Sequence, residues 1–289
     1  MASSSGTPIE CIDTLQYGVP GRGAAYVLRG KRVAVVEAGT PRAADILLER
    51  LRGDDLAYIF VTHIHLDHAG AAGRLAAEHP EATVVAHPRA LRHLADPSRL
   101  IEGVRQASPD LFPLYGEPLP VPEAQLHATE DDETYDLGSG VCVRALHTTG
   151  HAPHHLCFLE TPSRTLFAGD AVGNLGIPFD VPLTVPPRFD IDASRATLAR
   201  LRNLEPSALA FTHFGVLRDG IVDHIDGYER QIDCWFDRIA RLRREADADG
   251  VIKQVLDEAK YEEIDPTDRL SIEMCVRGAL LTLEAAEAA

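Results

Sequence analysis

The heptad Thr62-His63-Ile64-His65-Leu66-Asp67-His68 constrains this chain more than any other stretch. Three of the 13 histidines and one aspartate fall within six positions, directly behind the apolar run Tyr58-Ile59-Phe60-Val61. Imidazole nitrogen and carboxylate oxygen are the ligands that borderline divalent metals prefer, so the residue types suit a metal site. Residues 63 and 65 point the same way if the strand direction persists, which leaves Asp67 and His68 free to face a neighbouring ion. A solvated loop that happens to be rich in histidine is the competing reading. Three further residues weigh against it, each placed just after a β-rich run. His151 follows the run 141–146, Asp170 follows 165–168, and His213 follows Ala208-Leu209-Ala210-Phe211. Four strand ends, each carrying a metal-ligand residue, describe a site built along one edge of a layered sheet structure.

The rest of the chain reads as alternating strands and helices, the pattern of an α/β domain. Ala24–Leu28 and Val33–Val36 flank the turn residues Arg29–Arg32 and predict a hairpin. Pro41–Arg52 carries Ile46, Leu47 and Leu51 on one helical face, Gly70–His79 reads as a helix, and Thr83–Ala86 as a strand. Prolines 97, 109, 113, 118, 120 and 122 are expected to break any long helix between Pro97 and Pro122. Val141–Leu146, Leu156–Leu159 and Thr165–Ala168 predict three closely spaced strands, and a second proline-rich loop runs from Gly173 to Arg188. From Gly220 onward the text is helical, with Ile221, Ile225, Ile232, Trp235, Phe236 and Ile239 at helical intervals. Asp265-Pro266-Thr267-Asp268 reads as a capped helix start. We therefore expect a catalytic domain over residues 1–219 and a helical extension over 220–289.

Composition narrows the function classes. Lys and Arg number 28 against 44 Asp and Glu, giving a net charge of −16. That balance disfavours a broad phosphate-binding surface, so no nucleic-acid partner is expected. No stretch reaches the apolar length of a membrane span, and residues 1–10 lack a basic-then-apolar leader pattern, so no membrane association and a cytoplasmic location are expected. The five cysteines are scattered without a CxxC pair, which indicates neither a zinc knuckle nor a dithiol redox site; Cys142 and Cys157 are expected to be buried. No GxSxG elbow is present, so a serine hydrolase is not supported.

The order HxHxDH, TxGH, GD and TH resembles the metallo-β-lactamase superfamily over roughly Ala24 to Gly215. The resemblance implies an αββα sandwich with metals at one edge. It further implies that His63, His65 and His151 hold one ion, that Asp67, His68 and His213 hold a second, and that Asp170 bridges both. The true β-lactamases of this superfamily lack an aspartate at the bridging place. Asp170 thus points to the branch resembling glyoxalase II, acyl-homoserine lactonases and other esterases or thioesterases. A glutamate where this chain has His65 marks the flavodiiron proteins, which counts against that branch. Two departures stand out. Glu37-Ala38-Gly39 replaces the usual Asp-Thr-Gly, so support of the metal loop is expected to differ. Pro153-His154-His155 alters the third motif; His155 matches a non-ligand histidine, and His154, without a counterpart, is read as structural or exposed.

The expected reaction is hydrolysis of an ester, thioester or lactone by a hydroxide shared between two divalent ions, Zn2+ first, with Fe or Mn2+ as alternatives. Asp67 is expected to orient that nucleophile or take its proton. A phosphodiesterase, or a mononuclear-iron oxidoreductase resembling the persulfide dioxygenases, are the alternative readings. The partner is a small-molecule substrate. Loops 100–115, with Phe112 and Tyr115, and 174–189, with Phe179, are the candidates to wall its pocket. The apolar face from Cys275 to Leu283 suits a homodimer through the C-terminal helices.

Overall fold

The structure is a computed structural model that describes residues 9–175, 181–187, 189–258 and 265–288. Two six-stranded sheets lie face to face. The first runs in chain order: β1 (Ile9–Asp13), β2 (Ala24–Arg29), β3 (Val33–Val36), β4 (Leu56–Phe60), β5 (Thr83–Ala86) and β6 (Leu126–Ala128). The second comprises β7 (Thr134–Gly138), β8 (Val141–His147), β9 (Leu156–Glu160), β10 (Thr165–Phe167), β11 (Ala208–Ala210) and β12 (Val216–Leu217). Pairing is antiparallel across β1–β3 and β7–β10, and parallel across β3–β6 and between β10 and β11. The expected hairpin is present, with Tyr26 opposite Val36.

Period-two alternation explains the layers. Along β2, Ala24, Tyr26 and Leu28 enter the core between the sheets, while Ala25 and Val27 face the other way. The inter-sheet core also takes Phe60 from β4, Phe158 from β9 and Phe167 from β10. Outside the first sheet pack α1 (Ala44–Arg50), the short turn α2 (Leu66–Ala69) and α3 (Ala72–Glu78), where Leu47 and Leu75 are fully buried. The αββα arrangement is thus the observed one.

Between Pro97 and Pro122 no long helix forms, as expected, but shorter ones do. After α4 (Leu91–Ala95), a ten-residue helix, α5 (Ser98–Ala107), fits between Pro97 and Pro109, and α6 (Phe112–Tyr115) follows. Pro97 sits at the N-cap and Pro109 lies past the last turn, so neither interrupts the hydrogen-bond ladder. The prolines delimit the helix and do not forbid it. Cys157 is buried as expected, whereas Cys142 is only half-buried, on the outward side of β8.

The second sheet is covered by α7 (Ile191–Asn203), α8 (Ile221–Leu242), α9 (Ala248–Glu258) and α10 (Pro266–Glu287). Ile225, Ile232, Trp235 and Ile239 of α8 share one apolar core with Leu166 of β10 and Leu209 of β11. Asp265 caps α10 by accepting from the Thr267 N–H, with Pro266 in the first turn. The α10 face that suggested a dimer surface is turned inward: Cys275, Val276, Ala279 and Leu280 are buried in the same core. Among the described residues no helix is long and apolar enough to cross a membrane.

One contact of α10 matters for the site. A Cβ at Gly278 would lie 1.7 Å from the Thr184 carbonyl oxygen, so the helix and the segment 181–187 touch backbone to backbone. Thr184 Oγ1 donates to the Cys275 carbonyl at 2.8 Å and accepts from the Trp235 indole at 3.1 Å. Gly278→Ala is therefore expected to destabilise the fold by about 1–3 kcal/mol through overpacking. Urea unfolding of the variant checks this; an unchanged midpoint would show that the segment yields freely.

Candidate metal centre

The four predicted strand ends converge at one edge of the sandwich. His63, His65, Asp67 and His68 follow β4, His151 follows β8, Asp170 follows β10 and His213 follows β11. Strand β4 stops at Phe60, so the first motif is a loop closed by the α2 turn. Even so, His63 and His65 present nitrogens to the same point, as the sequence pattern suggested.

All seven predicted residues fall into two clusters, His63 with His65, His151 and Asp170, and Asp67 with His68 and His213. In the first, His63 Nε2 lies 2.8 Å from His65 Nδ1, and His151 Nε2 lies 3.2 Å from that same atom. Asp170 Oδ2 is 3.3 Å from His151 Nε2 and 3.9 Å from His63 Nε2. Its other oxygen, Oδ1, is 3.4 Å from both His68 Nε2 and His213 Nε2. Asp67 Oδ2 stands 3.9 Å from each of these two nitrogens. One carboxylate thus divides its oxygens between two clusters.

The donor set fits cations. A tetrahedral ion with bonds near 2.05 Å spaces its ligand atoms about 3.3 Å apart, and the observed separations bracket that value. His68 Nε2 and Asp170 Oδ1 are buried without a hydrogen-bond partner among the described residues. Polar atoms so placed are costly unless something of opposite charge joins them.

Neighbouring groups hold each ring in a ligating orientation. His151 Nδ1 donates to the Leu183 carbonyl at 2.8 Å, which turns Nε2 toward Asp170. Leu183 belongs to the segment gripped by α8 and α10, so the C-terminal helices reach the centre through one residue. His68 Nδ1 donates to Glu37 Oε1 at 2.8 Å. The same oxygen accepts from Thr62 Oγ1 at 2.6 Å and Thr212 Oγ1 at 2.7 Å. Glu37 therefore ties a loop of the first sheet to a loop of the second, in a backbone conformation with φ of 70°. His155, as expected, is no ligand: its Nε2 accepts the Asp170 N–H at 3.1 Å, which leaves Nδ1–H for Thr148 Oγ1 at 2.9 Å. Gly169 makes that possible, since a Cβ there would lie 2.5 Å from His155 Nε2. His154 belongs to neither cluster; it is buried beside His151, and burial first, then the His151 charge, lowers its pKa to about 3.

Electrostatics follow from the same geometry. Burial, then the neighbouring imidazoles, push His63 and His65 well below the usual histidine range; burial also lowers His151 against the pull of Asp170. These rings are neutral, the form that binds metal. Burial acts against a charge on His68 and His213 as well, but Asp170 outweighs it and raises both, with Glu37 and Asp67 adding to the effect on His68. Burial likewise opposes charge on Asp170, yet His68, His213 and His151 keep its carboxyl ionised, well below the ordinary range.

A cavity of about 930 Å³ opens onto the centre, reaching His65, Asp67, His151, Asp170 and His213. It is at the upper end of small-molecule site volumes. Both proposed loops contribute, through Leu100 and Tyr115 and through Asn174, Val181 and Val185; Phe112 is buried elsewhere in the packing and Phe179 lies outside the described residues. The motifs did not reveal Gln16 and Tyr17. Gln16 Nε2 donates to Asp67 Oδ2 at 3.0 Å, and the Tyr17 and Tyr115 hydroxyls meet at 2.9 Å. Leu15 and Tyr17 have φ of 49° and 60°, an uncommon left-handed pair that places Gln16 against the centre. Burial, then nearby charge and hydroxyl groups, raise both tyrosines, so both stay protonated where they line the cavity.

Known proteins share these features. The metallo-beta-lactamase superfamily sequence profile matches residues 18–213. The metallo-beta-lactamase fold-containing protein ST1585 of Sulfurisphaera tokodaii is 29% identical over 204 residues, 68% of this chain and 75% of that protein. Its solved structure superposes with a TM-score of 0.71 at 23% identity, covering 95% of this chain and 99% of that one. The atrochrysone carboxyl ACP thioesterase nsrC of Aspergillus novofumigatus is 26% identical, over 51% of this chain and 40% of its own length. A hydroxyacylglutathione hydrolase of Francisella tularensis is 28% identical, over 53% of this chain and 48% of its own. The chain spans less than half the length of these last two relatives. With the profile spanning the whole ligand set from the first motif to His213, the chain belongs to the metallo-β-lactamase superfamily.

Proposed function

We propose that this chain is a metal-dependent hydrolase that holds two divalent cations and cleaves an ester, thioester or lactone of a small molecule. The observation that carries the reading is the division of Asp170, one oxygen toward His63 and His151 and the other toward His68 and His213. A mononuclear site would have no use for the second cluster. The names of the thioesterase and hydroxyacylglutathione hydrolase relatives support an acyl substrate.

In this reading His63, His65 and His151 hold the first cation, Asp67, His68 and His213 the second, and Asp170 both. Zinc suits the N/O donor set, as do Fe and Mn2+. When bound, such ions lower the pKa of water toward neutrality and polarise a carbonyl. Asp67, fixed by the Gln16 amide, orients the attacking water or accepts its proton. Of the paired Tyr17 and Tyr115 hydroxyls, the one that accepts within the pair keeps its O–H to donate to an acyl oxygen entering the cavity. The apolar walls exclude bulk water around the reacting bond.

Chelation is expected to abolish activity, and restoring Zn2+, Mn2+ or Fe2+ in turn to recover it. Elemental analysis should give two ions per chain, and a substrate panel should show turnover of thioesters or lactones without turnover of bis(4-nitrophenyl) phosphate. Full activity in the metal-free protein, or one iron per chain with oxygen consumption, would sink the proposal.

A further inference from the structure

The cavity carries a second concentration of charge away from the ligand set. Arg89, Arg92 and Arg99 all line it, with His93 among them. They belong to the stretch that runs from the end of β5 through α4 into α5. Several other arginines are ion-paired: Arg22, on the same cavity wall, with Asp268, and Arg29, Arg195 and Arg200 with carboxylates of their own. Among the described residues Arg89, Arg92 and Arg99 have no carboxylate partner; Arg92 Nε donates only to His93 Nε2, at 3.1 Å. The nearby acid, Asp96, has its Oδ1 engaged by the Ser98 N–H and hydroxyl at 3.1 and 2.6 Å. Burial first, then the charges of Arg92 and Arg99, depress the His93 pKa, while Asp96 acts the other way.

Three exposed guanidiniums without an ion pair among the described residues line one cavity, in a chain of net charge −16, and form a site for an anion. Guanidinium forks match phosphate oxygens two at a time. Apolar side chains also line it: Leu100 and Val104 of α5, Ile272 and Met274 of α10, with Val181 and Val185 between the elements. A ligand complementary to the whole cavity combines an apolar acyl group, a carbonyl for the His–Asp centre and a phosphorylated arm.

We propose that Arg89, Arg92 and Arg99 bind the phosphate of a phosphopantetheine-type thiol carrier, so that the substrate is an acyl thioester of such a carrier. This rests on the hydrolase reading above. In the reaction the water oxygen bonds to the acyl carbon and the C–S bond breaks. The electron pair stays on sulfur, which takes a proton, and the products are a carboxylic acid and the free phosphorylated thiol.

The test compares metal-loaded wild type with the Arg89→Ala/Arg92→Ala/Arg99→Ala variant on octanoyl-coenzyme A, octanoyl carrier protein and octanoyl-N-acetylcysteamine, the last without phosphate. The variant is expected to lose about 20-fold or more in kcat/KM on both phosphorylated substrates and to stay within about twofold on the neutral one. An equal change on all three substrates, or no change on any, overturns the proposal. Loss confined to the carrier protein also overturns it, since the arginines then touch that protein's surface and not the phosphate. Calorimetric binding of coenzyme A separates this idea from the hydrolase reading. Binding by wild type that the variant loses supports the phosphate site even if no ester is turned over, and no binding by wild type overturns it. Circular dichroism and metal content check the fold, and Arg99→Gln, an exposed single change, repeats the comparison if the triple variant is unstable.

Discussion

Replacing Asp170 by asparagine is expected to lower kcat/KM by roughly a thousandfold, the scale on which removal of an essential electrostatic group acts. The metal content should fall from two ions per chain to one or none. The side chain is buried, and its oxygens lie 3.3 and 3.9 Å from the first pair of imidazoles and 3.4 Å from each of the second. Asparagine preserves the shape but removes the charge and turns one acceptor into an NH2 donor, which cannot ligate. The charge matters doubly here, because Asp170 is the first of the groups that raise the pKa of His68 and His213 despite their burial. Elemental analysis and thioester turnover measured on one preparation check the prediction. Two ions and full activity in the variant would show that Asp170 does not bridge.

The second large effect is expected at Glu37, and chiefly on stability. A single oxygen, Oε1, accepts from Thr62, Thr212 and His68, and the side chain is almost wholly buried. Glu37→Ala strands three donors between the sheets. Each buried donor left without a partner costs about 1–3 kcal/mol, so the loss should reach about 3–5 kcal/mol once the site relaxes. That is a large part of the stability of an ordinary domain. Glu37→Gln keeps an acceptor oxygen and should lose clearly less. Denaturant unfolding of the two variants makes the comparison; equal losses would mean that the acceptor role is not what matters. His68 should also lose its fixed orientation, so metal affinity should fall in both, by about 10- to 100-fold.

The two residues show how differently parts of the centre could be read. Asp170 was visible because ligands in this fold sit at strand ends, and a strand end carries a local signature: an apolar run, then glycine, then the acid. The same logic found His63, His65, Asp67, His68, His151 and His213, and the structure gathers all of them. Glu37 was noticed only as a departure from Asp-Thr-Gly, and its three partners lie 25, 31 and 175 positions away. The longer side chain reaches a threonine on each sheet, a fact that no local window contains.

Alternation and helical period determined the hairpin, the central strands and the apolar face of α8, since each depends on neighbours a few residues apart. The same local logic left α5 unread, a helix that fits between Pro97 and Pro109. Strands β1, β6, β7 and β12 went unread.

The sequence by itself determined the donor types, their order and the sandwich that carries them. Only the tertiary structure decided how Asp170 shares its oxygens, how α8 and α10 reach His151 through Leu183, and which arginines remain without an acid. Ligand identity is covalent information, fixed at each position of the chain. Sharing, support and charge balance depend on distances between segments that meet only when the two sheets close.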